Sequence, residues 1–108
     1  MLANALLSLF VKFFLKQQIK EMIRDSLDMD DFDIASIRDD APLLGGELEL
    51  DSIDALELVI LVEKRYGVKI KSSEETRVAL TSVDVLADYI LERAPEKVAA
   101  EQAVRKSA

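Results

Sequence analysis

Apolar and polar positions along the chain divide it into a small number of helical segments. Residues 1–15, "MLANALLSLFVKFFL", are almost wholly apolar, and Asn4, Ser8, Lys12, Lys16 and Lys20 recur at every fourth position. That spacing draws one narrow polar stripe along an otherwise apolar helix and carries it without a break into the next segment. In residues 16–28, Ile19, Met22, Ile23 and Leu27 share one face, so a single long first helix is expected. Residues 28–47 read as a long connection rich in acids, with Pro42 and the Gly45–Gly46 pair as loop signals. Phe32, Ile34, Ile37, Leu43 and Leu44 are the side chains expected to anchor it to the core.

A second strong helix is expected over residues 52–66. The run "LVILV" could belong to a buried strand, but periodicity decides for helix: Asp54, Glu57, Lys64 and Arg65 lie near one face, and Ala55, Leu58, Val59, Val62 and Tyr66 on the other. Gly67 supplies its stop. An extended "VKIK" and a short helix over "SSEETRVAL" follow, with Ser73 as its expected cap. The last core helix spans 82–94, capped by Ser82, buried through Val83, Leu86, Ala87 and Ile90, and interrupted at Pro95. The pattern divides the chain into an apolar extension (1–15), an all-α domain (16–94) and a polar, loosely held tail (95–108).

Composition narrows the chemistry. Half of the 108 residues are hydrophobic, enough for a core without covalent staples, and three Gly and two Pro are too few for an all-β fold. The chain has no cysteine and no histidine. It therefore has no thiol nucleophile, no thiolate metal site and no ordinary neutral-pH base, and a self-contained enzyme is not expected. Residues 1–20 carry +3 and no acid, leaving −10 for the remainder of a chain whose total is −7. An acidic body repels nucleic acid and is steered toward basic protein surfaces. The first 15 residues are too short to span a bilayer, are interrupted by Lys12, and lack the marks of a secretory signal. Three readings are open for them: contact with another protein or a second copy, a membrane surface favoured by the lysine stripe, or a simple extension folded onto the body. Protein contact is favoured.

The one chemically pointed stretch is Asp51-Ser52-Ile53-Asp54. Asp51 sits where an N-cap belongs and Asp54 three residues on, an acidic capping box. Ser52 then lies in the first turn with its hydroxyl outward, near the positive end of the helix dipole, where a phosphate would be favoured. Nothing adjacent could activate the serine, so a separate enzyme would have to modify it. The paired acids Asp51 and Asp54 read as caps rather than as an acid–base pair or metal ligands.

These residues resemble the acyl carrier protein family, whose attachment motif Asp-Ser-Leu-Asp is followed by a helix of the form "xxELVxxLEExF". Here it reads Asp51-Ser52-Ile53-Asp54 and then "ALELVILVEKRY". The first-helix pattern, "YGVKI" and "TSVDVLADYI" are similar to the family's remaining segments, and the match covers about residues 16–93. The resemblance implies a four-helix bundle with a long loop between helices 1 and 2 and a short third helix. It implies 4′-phosphopantetheine on Ser52, installed from coenzyme A by a phosphopantetheinyl transferase. The arm's thiol would carry acyl thioesters for fatty-acid, polyketide or related lipid biosynthesis in the cytoplasm.

The resemblance also implies that Asp51, Asp54, Glu57 and Glu63 dock onto basic patches of acyl-transferring or condensing enzymes, and that Leu58, Val59, Val62 and Ile70 line a shelter for the acyl chain. Glu49 stands where the family often has glycine, and Lys64 and Arg65 stand where it usually continues acidic. The alternative function is an unmodified interaction module of the same fold, using its apolar first helix for protein or membrane contact.

Overall fold

The computed structural model describes residues 2–26, 33–46 and 50–98, and within the first helix the side chains of 9–25. Helix α1 spans Leu2–Ser26, the single long helix expected from the unbroken stripe. After a 3-10 turn at Ile34–Ser36 come α2 (Ser52–Tyr66), α3 (Ser73–Ala79) and α4 (Val83–Arg93). This is the all-α bundle with a long first loop and a short third helix. A single parallel bridge joins Leu44 to Leu50, with the Gly45 N–H donating to the Leu50 carbonyl at 3.2 Å, and it is the extent of β-pairing among the described residues. Leu27, Phe32 and the tail beyond 98 lie outside the described residues, as do the side chains of Asn4 and Ser8.

The core is assembled from the stripes that periodicity picks out. Leu15, Ile19 and Ile23 of α1 meet Leu58, Val62 and Tyr66 of α2 and Val83, Leu86, Ala87 and Ile90 of α4. Ile37 and Leu43 pin the long loop to this core, while Ile34 and Leu44 pack only part-buried against it. A polar contact lies inside this core: the Tyr66 hydroxyl donates to Gln18 Oε1 at 2.8 Å, which lets a tyrosine end the buried face of α2.

The element boundaries have local causes. Gly67 closes α2 in the left-handed region, at φ +71° and ψ +13°, where a side chain would be strained. Gly46 is required for a different reason: a Cβ there would lie 2.5 Å from the Pro42 carbonyl oxygen. The cap of α3 is Ser72 rather than Ser73; its hydroxyl accepts from the Glu75 N–H at 3.0 Å, and Ser73 is the first helical residue. Either serine satisfies the sequence pattern, and the three-residue reach to an N–H selects the earlier one. Ser82 caps α4 as expected. Pro95 ends α4 and opens a further helical turn at 95–98, a position where proline's missing N–H costs nothing. Val98 in that turn is fully buried, so the described start of the tail is docked on the core.

The three lysines of the α1 stripe reach carboxylates of the body. Lys12 Nζ lies 3.3 Å from Asp84 and 3.0 Å from Asp88; Lys16 Nζ lies 3.1 Å from Asp39 and 3.2 Å from Asp84; Lys20 Nζ lies 2.6 Å from Asp39. The pairing runs antiparallel, with α1 advancing as α4 recedes. Hydrogen bonds from Lys20 and Lys16 hold the Asp39 carboxyl below its ordinary value, and those from Lys16 and Lys12 do the same for Asp84. The hydrogen bond to Asp88 raises the pKa of Lys12. Burial opposes the charge on Lys16, but its bonds to Asp39 and Asp84 outweigh that and raise it too. The lysines are committed to these carboxylates, which removes the ground for reading the stripe as a membrane-facing one.

Because Lys20 is 93 % buried, Asp39→Asn leaves a cation with weakened compensation and is expected to cost about 1–3 kcal/mol, trimmed by the partial exposure of Asp39. Lys20→Met, which leaves the partly exposed Asp39 still paired to Lys16, is expected to cost less. Urea denaturation of the two variants checks the order. Since Asp39 and Asp84 have depressed folded-state values, their contribution is complete above the ordinary carboxylate value of 3.8 and is lost as pH falls through the lower folded value. Asp84→Asn is expected to flatten that acid slope in a pH series of unfolding curves.

Candidate functional site

The site is the start of α2. Asp51 is its N-cap, in extended backbone at φ −102° and ψ −173°. Its Oδ1 accepts from the N–H groups of Ile53 and Asp54, both at 3.0 Å. In return Asp54 Oδ2 accepts from the Asp51 N–H at 3.1 Å, which completes the capping box. The Asp54 N–H, aided by the Ile53 N–H, holds the Asp51 carboxyl below its ordinary value, against the opposing effect of desolvation. Upstream, the bridge at Leu44–Leu50 and the burial of Leu50 fix the direction in which the loop enters the helix.

Ser52 is therefore the first residue of α2, one position past a cap satisfied in both directions, and it is exposed. One expectation changes. The N–H groups of Ile53 and Asp54 are occupied by Asp51, and the Ala55 N–H by the Asp51 carbonyl at 2.9 Å. The helix start thus spends much of its donor capacity on its own cap rather than offering it to a phosphate. What the geometry provides is an accessible hydroxyl on a rigid, well-terminated helix.

The four acids singled out from the sequence occupy different settings. Asp51 and Asp54 are engaged in the cap, whereas Glu57 and Glu63 are exposed farther along α2. Asp54, Glu57, Ile60 and Glu63 follow at steps of three, a row winding around the outer side of the helix. The sequence reading missed the apolar residues between them: Ile53, Leu56 and Ile60 are 75, 60 and 44 % exposed. They could have been found by asking which apolar positions of α2 fall outside its buried stripe, and the strong "LVILV" run concealed them. Lys64 and Arg65 occupy the last turn, where cations complement the helix dipole.

The residues assigned to chain shelter lie in the interior. Leu58 and Val62 are fully buried and Ile70 nearly so, while Val59 packs part-buried against them. Among the described residues no group of His, Cys, Asp and Glu could hold a metal ion. No helix among them is long and apolar enough to cross a membrane.

Comparison with known proteins bears on the same segment. A family model for the phosphopantetheine attachment site matches residues 17–90. Polyketide-8 synthase acyl carrier protein 2 of Streptomyces avermitilis is 38 % identical over 63 residues, 58 % of this chain and 68 % of that protein. The acyl carrier protein of Rubrobacter xylanophilus is 33 % identical over 79 residues, covering 70 % of this chain and 86 % of its own. That of Rickettsia typhi is 34 % identical over 79 residues, covering 73 % and 85 %. No solved structure matches the chain.

The capping box yields a test of how the site is held. Asp51→Ala is expected to lower the melting temperature by about 4–8 °C, and Asp51→Asn, an equally good cap, by much less. Circular dichroism melts of both variants at neutral pH read the difference.

Proposed function

We propose, since the chain belongs to the acyl carrier protein family, that Ser52 bears the 4′-phosphopantetheine arm on which it carries acyl groups as thioesters. Membership makes the protein a carrier in fatty-acid or polyketide synthesis, with phosphopantetheine as its covalent cofactor. The observation supporting Ser52 is its place: an exposed hydroxyl, first in a doubly capped helix, inside the matched segment. A phosphopantetheinyl transferase takes the hydroxyl proton. The serine oxygen bonds to the pantetheine-linked phosphorus of coenzyme A, and adenosine 3′,5′-bisphosphate leaves. The chain itself does no catalysis, and it works where coenzyme A is available, in the cytoplasm.

Enzymes of the pathway would dock on α2. Glu57 and Glu63, with the residual charge of Asp51 and Asp54, steer a basic patch toward the helix, and Ile53, Leu56 and Ile60 supply the apolar contact beneath it. Leu58, Val59, Val62 and Ile70 would receive an acyl chain only if α2 and its neighbours part, because they now form a closed core. The carrier domain of this proposal is residues 16–94. Leu15, Lys12 and Val98 nevertheless tie the ends of the flanking segments to this domain.

Intact mass after incubation with coenzyme A and a broad-specificity phosphopantetheinyl transferase tests the assignment. The parent is expected to gain one phosphopantetheine and Ser52→Ala none, with the same helical signal in both. A parent that stays unmodified, or a Ser52→Ala protein that is still loaded, would overturn it. The first result would favour the unmodified interaction module.

A further inference from the structure

Helix α1 presents to its own body the side that carries lysines. Flanking those lysines, on the side turned away from the core, stand Leu9, Phe10 and Phe13, which are 66, 68 and 60 % exposed. With Lys12 and Lys16 they line an open groove of about 570 Å³. The two lysines contribute their methylene stems to this groove, because their ammonium groups are held by Asp84, Asp88 and Asp39 at 3.0–3.3 Å. An apolar face of this kind at the surface of a small protein marks a contact.

The charges around the groove discriminate among occupants. An interfacial membrane helix keeps its cations free for lipid headgroups. Here Lys12 and Lys16 are neutralised within the chain, and exposed Asp88 stands beside them. A strongly acidic or basic partner would find no net charge on this face to read. A second copy needs that neutrality, since a two-fold contact sets the patch against itself and any unpaired charge would meet its like.

Phe10 and Phe13 stand three positions apart and so are neighbours on the surface of α1. At roughly 100–150 Å² from each of Leu9, Phe10 and Phe13, the described patch offers on the order of 300–450 Å² per copy. Two copies therefore bury less than the roughly 1,200 Å² of a tight specific interface, so the contact is a weak, reversible one.

We propose that a second copy of this chain covers this groove, in a two-fold helix–helix contact centred on Phe10 and Phe13. The contact does not depend on the assignment of Ser52. If both hold, each particle carries two arms on one paired α1 scaffold.

Sedimentation equilibrium of the full, unmodified chain across the micromolar range is the test. A monomer–dimer equilibrium is expected, with Phe10→Glu and Phe13→Glu each weakening it at least about tenfold at unchanged helical content. The chain has no cysteine, so Phe13→Cys provides a single thiol. Under copper–phenanthroline oxidation it is expected to give a disulfide-linked dimer, whereas Val78→Cys, equally exposed on α3, is not. A folded parent that stays monomeric at every concentration would overturn the proposal, as would a dimer indifferent to both glutamates. Flotation of the monomer with phosphatidylcholine vesicles, abolished by the same glutamates, would assign the groove to a bilayer and overturn it equally.

Discussion

The arrangement of the molecule depends on three lysines meeting three aspartates. A helix as apolar as α1 can turn almost any side toward a core, so hydrophobic burial alone leaves its rotation weakly determined. Lys12, Lys16 and Lys20 determine it, because Asp84, Asp88 and Asp39 wait on one side. Lys20 could not sit almost buried without Asp39 at 2.6 Å. Asp39 in turn lies on the long loop, and its carbonyl accepts from the Asp84 N–H at 3.0 Å. One loop residue thereby ties α1 to α4 and sets the course by which the loop reaches Leu43, Leu50 and the start of α2.

At the start of α2, local folding and function draw on the same groups. Asp51 and Asp54 close the helix by bonding to each other's backbone, and they place two carboxylates beside the serine. Their charge persists for a partner to feel, but their geometry is fixed by the cap. The acids free to adapt to a docking surface are Glu57 and Glu63, farther along. A rigid start followed by an adaptable flank suits the proposed function, in which Ser52 is presented to a transferase and α2 to several enzymes.

Much of this was legible in the sequence where one element suffices to decide. The capping box, the Gly67 stop, the Ser82 cap and the buried stripes of α2 and α4 follow from spacings of three and four. The stripe of lysines was legible too, but its direction was not. Periodicity puts Lys12, Lys16 and Lys20 on one side of a helix, and their partners lie up to 76 positions away, at Asp88. No local pattern says whether such a stripe faces water or carboxylates. The cap of α3 slipped by one residue for a smaller reason, since two adjacent serines compete and only the backbone reveals which reaches the Glu75 N–H. Ile53, Leu56 and Ile60 escaped notice because a nearly continuous apolar run looks buried throughout.

The two exposed apolar surfaces differ in a way that separates their roles. On α2, Ile53, Leu56 and Ile60 alternate with acids, so any partner must first match charge and then touch apolar side chains. Such a surface associates quickly under electrostatic steering and releases as readily when salt or a competitor intervenes. On α1, Leu9, Phe10 and Phe13 form a face whose nearby cations are neutralised within the chain. Steering has nothing to act on there, and the driving force is removal of apolar area from water, which salt does not screen. If enzymes exchange on α2 and a second copy sits on α1, as proposed, these two chemistries have to be kept apart. The lysine–aspartate ladder keeps them apart by turning the charged side of α1 inward.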